Sequence, residues 1–134
     1  MIYKPHPKEA STQIIENPNI EGLVYIDNIP IEELINISDV VISITSAVDY
    51  SVCFFNKPLV QMGKNSLNIS GCSYVVDEVG NLESQMAKAL EEGLTNTQKK
   101  CHEQHLMELC DTVLWDDMTE RDLRYGISNE NDIF

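Results

Sequence analysis

The chain has 134 residues, 43% of them hydrophobic and 23% charged, which is the size and composition of one ordinary globular domain. Its formal net charge of −13 excludes a nucleic-acid partner, whose phosphates demand a basic face, and equally an anionic membrane surface. The charge is uneven. Residues 1–75 carry four lysines against eight acids, and residues 76–134 carry five basic residues against fourteen acids, so an anionic ligand is expected in the first part. No apolar run follows the basic N-terminal residues, as a secretion signal requires, and no stretch approaches the roughly 20 apolar residues of a membrane span. The four cysteines, Cys53, Cys72, Cys101 and Cys110, show no CxxC spacing. They are expected as free thiols of a cytoplasmic protein.

In chain order, Ile2-Tyr3 ends a short strand that runs into the loop Lys4-Pro5-His6-Pro7. Residues 8–16 are expected as a short helix and 17–22 as a turn. Residues 23–26 form the next strand, and Pro30 opens a helix over 31–37 with Ile31, Leu34 and Ile35 on one face. The run DVVISI (39–44) is rich in β-branched apolar residues, as a strand buried on both faces requires. Thr45-Ser46 ends it, and 47–55 has helical spacing at Val48, Val52 and Phe55. Asn56-Lys57-Pro58 stops that helix. Residues 59–62 and 73–76 are two more strands, with a polar loop over 63–71 between them. Asn81 is the expected cap of a helix over 82–92, which Gly93 ends. Residues 97–114 form another helix, and the last 20 residues are an acidic, weakly patterned tail. Strands alternating with helices define an α/β protein with a Rossmann-like, three-layer parallel sheet. One Rossmann-like domain is expected over 1–114, and the acidic tail over 115–134.

Open parallel sheets bind ligands beyond the carboxyl ends of their strands. Two features fall there: the Lys4-Pro5-His6-Pro7 loop, and Thr45-Ser46-Ala47 between a strand and its helix. A helix N-terminus offers unpaired N–H groups and partial positive charge, which suit phosphate. His6 adds a donor, and the flanking prolines lower the entropy lost on binding by fixing φ. The plainer reading is a Pro-flanked turn and an ordinary Thr-Ser helix cap. Asp27, Asp39 and Asp49 lie near predicted strand ends, where aspartates commonly serve as caps. Cys101-His102-Glu103-Gln104-His105, with Cys110 beyond, has metal-ligand residue types. However, structural zinc sites pair ligands from two segments, and Leu106, Leu109 and Val113 claim the helix for packing. No metal is therefore expected.

Taken together, KPHP, the stretch IPIEELINISDVVISITSAVDYSVCFFNKPLVQMG and the helix opened by NLESQMAKAL resemble the C-terminal half of capsular polysaccharide biosynthesis glycosyltransferases, among them bacterial Kdo transferases. Bacterial sialyltransferases and polysialyltransferases carry a similar loop and a later serine motif, and teichoic acid poly(glycerophosphate) transferases carry a looser version. The resemblance covers about residues 1–92. It implies a GT-B C-terminal domain that binds a nucleotide-activated sugar, often CMP-linked, with no metal and no further cofactor. It assigns the donor phosphate to Lys4, His6, Thr45, Ser46 and Ala47, with His6 as the catalytic group. Asp49 and Ser51 stand where the family has a glycine and a glutamate, the latter near the nucleoside, and Asn56 stands where a glycine precedes Lys57-Pro58.

The implied function is the donor-binding portion of a glycosyltransferase for capsular or other cell-surface polysaccharide. The acceptor would be held by an N-terminal domain absent from this sequence, so the chain alone is expected to be inactive. A second copy of the chain and a membrane export complex are the further partners of this reading. Two alternatives are a non-catalytic interaction module, homodimeric where a missing domain would expose apolar surface, and a glycerophosphotransferase of the teichoic acid type.

Overall fold

In a computed structural model, residues 1–6, 19–65, 67 and 71–114 are described, without the side chains of 112–114. The chain divides into two compact units, Met1–Ser38 and Asp39–Phe134. In the first unit, β1 (Ile2–Tyr3) pairs in parallel with β2 (Val24–Tyr25). The pairing extends by one bond at each end, from Val24 N–H to Met1 O and from Ile26 N–H to Tyr3 O. Pro30 then opens α1 (Ile31–Ile37) with φ −54°, as proline does at a helix start. Glu32 and Glu33 occupy its first turn, where the helix dipole favours acids. Leu34 and Ile35 are buried, as their spacing predicts. The helix expected over 8–16, and Pro7, lie outside the described residues.

The second unit holds β3 (Val41–Ser43), β4 (Leu59–Gln61) and β5 (Tyr74–Val75), ordered β3-β4-β5 and all parallel. Helix α2 (Val48–Phe54) connects β3 to β4. A 3₁₀ turn (Val79–Asn81) leads into α3 (Leu82–Glu92). Helix α4 (Asn96–Glu108) follows and passes into a π-helical turn (Leu109–Leu114). Alternation of parallel strands with helices is the α/β class that the sequence predicts. The expectation that 39–44 is buried on both faces is corrected. It is β4 whose three residues are all 0% exposed, whereas Ile42 in β3 is 36% exposed. In this sheet β3 is an edge strand and β4 the centre, and an apolar run does not encode that position.

Helix ends follow local chemistry. Asn56 has φ 53°. Its N–H donates to Cys53 O, and Lys57 N–H donates to Val52 O. This is the pair of reversed bonds that closes a helix over a left-handed residue, and Pro58 prevents continuation. Asn81 is not the side-chain cap of α3: it ends the 3₁₀ turn in helical conformation and makes no capping bond. Gly93 does end α3, at φ 64°, with its N–H on Ala89 O. Helix α4 starts with a capping box of Thr95 and Gln98. Val60, Tyr74, Val76 and Ala89 form a core cluster against which Val40, Met62 and Leu82 pack. The Tyr74 hydroxyl donates to Gly93 O at 2.6 Å. Burial, and then the Glu92 charge, push that phenol up against the opposing Gln98 bond, so it remains a donor.

The expectation of free thiols holds for Cys53 and Cys110 and fails for the other two. Cys72 and Cys101 form a disulfide, with Cα atoms 5.3 Å apart. They are 29 residues apart in sequence, and only folding brings α4 against the segment before β5. Beside the bond, His102 is 0% exposed and donates from Nε2 to Cys72 O at 2.8 Å, while its Nδ1 is buried without a partner. Burial pushes the His102 imidazole down, the Cys72 carbonyl bond opposes this, and His105 adds to it. Among the described residues, no helix is long and apolar enough to cross a membrane.

Two outcomes follow from these contacts. Replacing Asn56 by valine, which tolerates positive φ poorly, lowers unfolding free energy by about 1–2 kcal/mol, while Asn56→Gly leaves it equal or higher; chemical denaturation checks both. His102 is held neutral in the folded chain, so the unfolded chain binds the extra proton below the ordinary value of 6.5. Stability is therefore present above about pH 6.5 and falls as pH drops, by at most about 1.4 kcal/mol per pH unit from this group. Denaturation midpoints between about pH 7 and pH 5 should show a flatter acid limb in His102→Gln.

Candidate functional site

The strands β3, β4 and β5 run in parallel, so the segments after Ser43, Gln61 and Val75 leave the sheet at one edge. That edge is where the topology of an open α/β sheet gathers ligand groups. After β3 the chain turns through Ile44-Thr45-Ser46-Ala47 into α2. Two reciprocal side-chain bonds brace the turn. Ser46 Oγ accepts from Val48 N–H at 3.2 Å, and the Asp49 carboxylate reaches back to Ser46 N–H at 3.4 Å. The spacing Ser46-Ala-Val-Asp49 is that of a capping box, although the Asp49 N–H bonds Ser46 O and not the hydroxyl. Gly63 passes directly beneath the turn and donates its N–H to Ile44 O at 2.6 Å. A β-carbon at Gly63 would collide with Thr45 Oγ1 and Ile44 O, so only glycine fits there.

Asp49 lies at the centre of the edge and is 0% exposed. Its Oδ2 also accepts from Gln61 Nε2 at 2.8 Å and from Asn65 Nδ2 at 2.9 Å. Gln61, the last residue of β4, donates to Asn65 Oδ1 at 3.0 Å and accepts at Oε1 from the Ser73 hydroxyl at 2.6 Å. Asn65 Oδ1 accepts in turn from Leu67 N–H at 3.0 Å. One buried polar network thus joins α2, β4, the 63–67 segment and the entry to β5. Asp49 Oδ1 and Ser43 Oγ are buried without partners. Burial first, and then the Asp49 charge, push the neighbouring Cys53 thiol up to about 12. Cys53 is therefore a neutral, buried packing group near neutral pH and not a nucleophile.

The sequence-predicted site residues fall in both units. In the first, Lys4 donates from Nζ to Asp27 O at 3.1 Å and to Ile29 O at 2.7 Å. It clasps the loop after β2 to the loop after β1. Pro5 is buried and His6 is exposed just beyond it. In the second, Thr45 and Ala47 are exposed, and Ser46 is half-buried at the start of α2. Ser51 is half-buried farther along that helix. The structure brings Thr45, Ser46 and Ala47 into one turn, and Lys4 and His6 into one loop. Sequence reasoning assigned Asp49 only a generic cap and passed over Gln61, Asn65 and Ser73. The Ser46-x-x-Asp49 spacing was the available signal, whereas nothing in the sequence pairs Gln61 with Ser73.

A second cluster lies away from this edge. One ligand atom from each of Cys72, Cys101 and His105 lies within 4.8 Å of the others. Cys101 and His105 stand at helical spacing in the sequence, and folding brings Cys72 of another segment beside them.

No protein-family model, curated protein or solved structure matches the chain.

Truncating Asp49 strands the Gln61 and Asn65 amides and the Ser46 N–H. Asp49→Ala is expected to cost about 2–4 kcal/mol in unfolding free energy. Asp49→Asn, which keeps an acceptor for both amides, should recover at least half of that loss in the same denaturation measurement.

Proposed function

We propose that the chain is the donor-binding portion of a metal-independent glycosyltransferase of capsular or other cell-surface polysaccharide, with a Rossmann-like sheet of the GT-B kind. The observation that carries this reading is the edge of the β3-β4-β5 sheet. There a short serine-bearing turn opens α2, as the resembled motif requires. A second observation supports it. Asn56 adopts φ 53° where the resembled enzymes have glycine, the residue such a conformation favours, so the departure in sequence preserves the backbone.

The contacts refine the roles. Ser46 spends its N–H and one hydroxyl lone pair on the turn into α2, so what it offers a phosphate oxygen is its O–H proton. Thr45, an exposed residue, stands beside it. Lys4 is committed to carbonyls and serves to fix the loop that carries His6. Ser46 would then stabilise charge building on the leaving phosphate, as a preorganised donor does, and His6 keeps the donor role that the resemblance gives it. The acceptor polysaccharide, and attachment to an export complex, belong to the same reading.

A specific observation favours a second reading, a non-catalytic binding module. The Asp49 carboxylate already sits at the N-terminus of α2, where an anionic ligand would otherwise gain from the helix dipole. Ser51 also replaces the glutamate expected near a nucleoside.

Calorimetric or NMR titration of the 134-residue chain with CMP, CMP-activated sugars and CDP-glycerol separates these readings. Saturable CMP-sugar binding, weakened at least about tenfold (about 1.4 kcal/mol) in both His6→Ala and Ser46→Ala, is the expected result. Absence of any nucleotide binding overturns the donor-binding reading in favour of the module. Binding of CDP-glycerol alone overturns it in favour of a glycerophosphotransferase.

A further inference from the structure

The cluster of Cys72, Cys101 and His105 is separate from the sheet edge and unused by the function proposed above. Cys101 and His105 are four residues apart on α4 and so share one helix face. Cys72 comes from the segment before β5 and is buried. It is fixed from both sides: its N–H donates to Leu67 O at 2.9 Å, and its carbonyl accepts from His102 Nε2 at 2.8 Å. These contacts involve backbone atoms and do not require the disulfide. The same face of α4 lines an open cleft of about 320 Å³ with Thr97, Lys100, Cys101, Gln104, His105 and Glu108. The Glu108 carboxylate lies 3.9 Å from His105 Nδ1, and carboxylates commonly accompany and orient metal-bound imidazoles.

The three ligand atoms lie within 4.8 Å of one another. Around tetrahedral zinc, with bonds of about 2.0–2.3 Å, ligand atoms stand roughly 3.3–3.8 Å apart. Once the S–S bond is broken, modest separation of the sulfurs brings all three to that spacing. Two thiolates and an imidazole are a donor set that selects zinc over the hard cations magnesium and calcium.

We propose that the Cys72–Cys101 pair is a redox-gated metal site: reduced, the two thiolates and His105 bind one zinc-class divalent ion, with a fourth position open to the α4 cleft. A dithiol reductant supplies two electrons and two protons, the S–S bond becomes two thiols, and the reductant leaves as its own disulfide. Entry of the metal forms two metal–sulfur bonds and one metal–nitrogen bond and displaces the two thiol protons. Oxidation of the thiols by a disulfide reverses the sequence and expels the ion. Three protein ligands with an exchangeable fourth position is the coordination of Lewis-acid zinc sites, not of closed structural ones.

Cobalt(II) titration of the whole chain, reduced and then oxidised, tests this without any substitution. The expected result is one Co²⁺ per chain in the reduced protein alone, with thiolate-to-cobalt charge-transfer absorption and displacement by Zn²⁺. Binding should weaken at least about 100-fold in Cys72→Ser and in His105→Ala, since loss of a ligand exceeds the 10–100-fold effect of an outer partner. It should be unchanged in Cys110→Ser. Circular dichroism of oxidised His105→Ala, whose disulfide is intact, controls for folding. Equal binding by both redox forms, a spectrum without thiolate charge transfer, indifference to His105→Ala, or loss in Cys110→Ser each overturns the proposal.

Discussion

The arrangement of the second unit depends on one buried carboxylate. Asp49 is fully enclosed and ties the start of α2 to the end of β4 and to the 63–67 segment through Ser46, Gln61 and Asn65. A charge or strong dipole in that position is costly unless its hydrogen bonds are made. Every element that contributes a donor is therefore held in register with the others. Gly63 closes the same knot from the backbone side, because its lack of a β-carbon lets β4's exit pass under the 44–46 turn. The 44–46 turn and the sheet edge are thus one structure, and the turn's shape is set from beneath by Asp49 and Gly63.

That dependence explains which parts of the fold were legible in the sequence. Elements fixed by local chemistry were readable: Pro30 at the start of α1, Gly93 at the end of α3, and the Asn56-Lys57-Pro58 stop. Each of these residues acts on its own φ or on bonds within one turn. Rank within the sheet was not readable. DVVISI has the stronger β-branched run, yet β4 is central and β3 lies at the edge. The difference is made by β5, which pairs with β4 across a polar loop whose length and closure no periodicity describes. Asn81 failed as a cap because a 3₁₀ turn already carries the chain into α3, leaving its side chain no N–H to meet.

The candidate site was legible in residue type more than in role. Lys4, His6, Thr45 and Ser46 were singled out as phosphate donors, and each lies where its strand ends. However, Lys4 spends its ammonium on the Asp27 and Ile29 carbonyls, and Ser46 spends polar atoms on the turn into α2. A sequence presents donors and acceptors without saying which are already satisfied. The same gap hid the disulfide. Cys72 and Cys101 have no spacing in common with any motif, because their proximity depends on α4 packing back over the segment before β5, a long-range contact no local pattern encodes.

Charge distribution gives the two clusters different chemistry. Residues 76–134 carry nine more acidic than basic groups, and residues 1–75 only four more. A cation approaching the α4 face meets Glu108, with Lys100 as the opposing charge in the cleft. The sheet edge belongs to the less acidic part, and its one enclosed acid, Asp49, is hydrogen-bonded by uncharged donors. An anion at this edge would therefore depend on directed hydrogen bonds, such as that of the Ser46 hydroxyl, and not on net attraction. On the proposed readings, occupancy of the second cluster would follow the redox state of its sulfurs, and occupancy of the first the geometry of the turn that Asp49 holds.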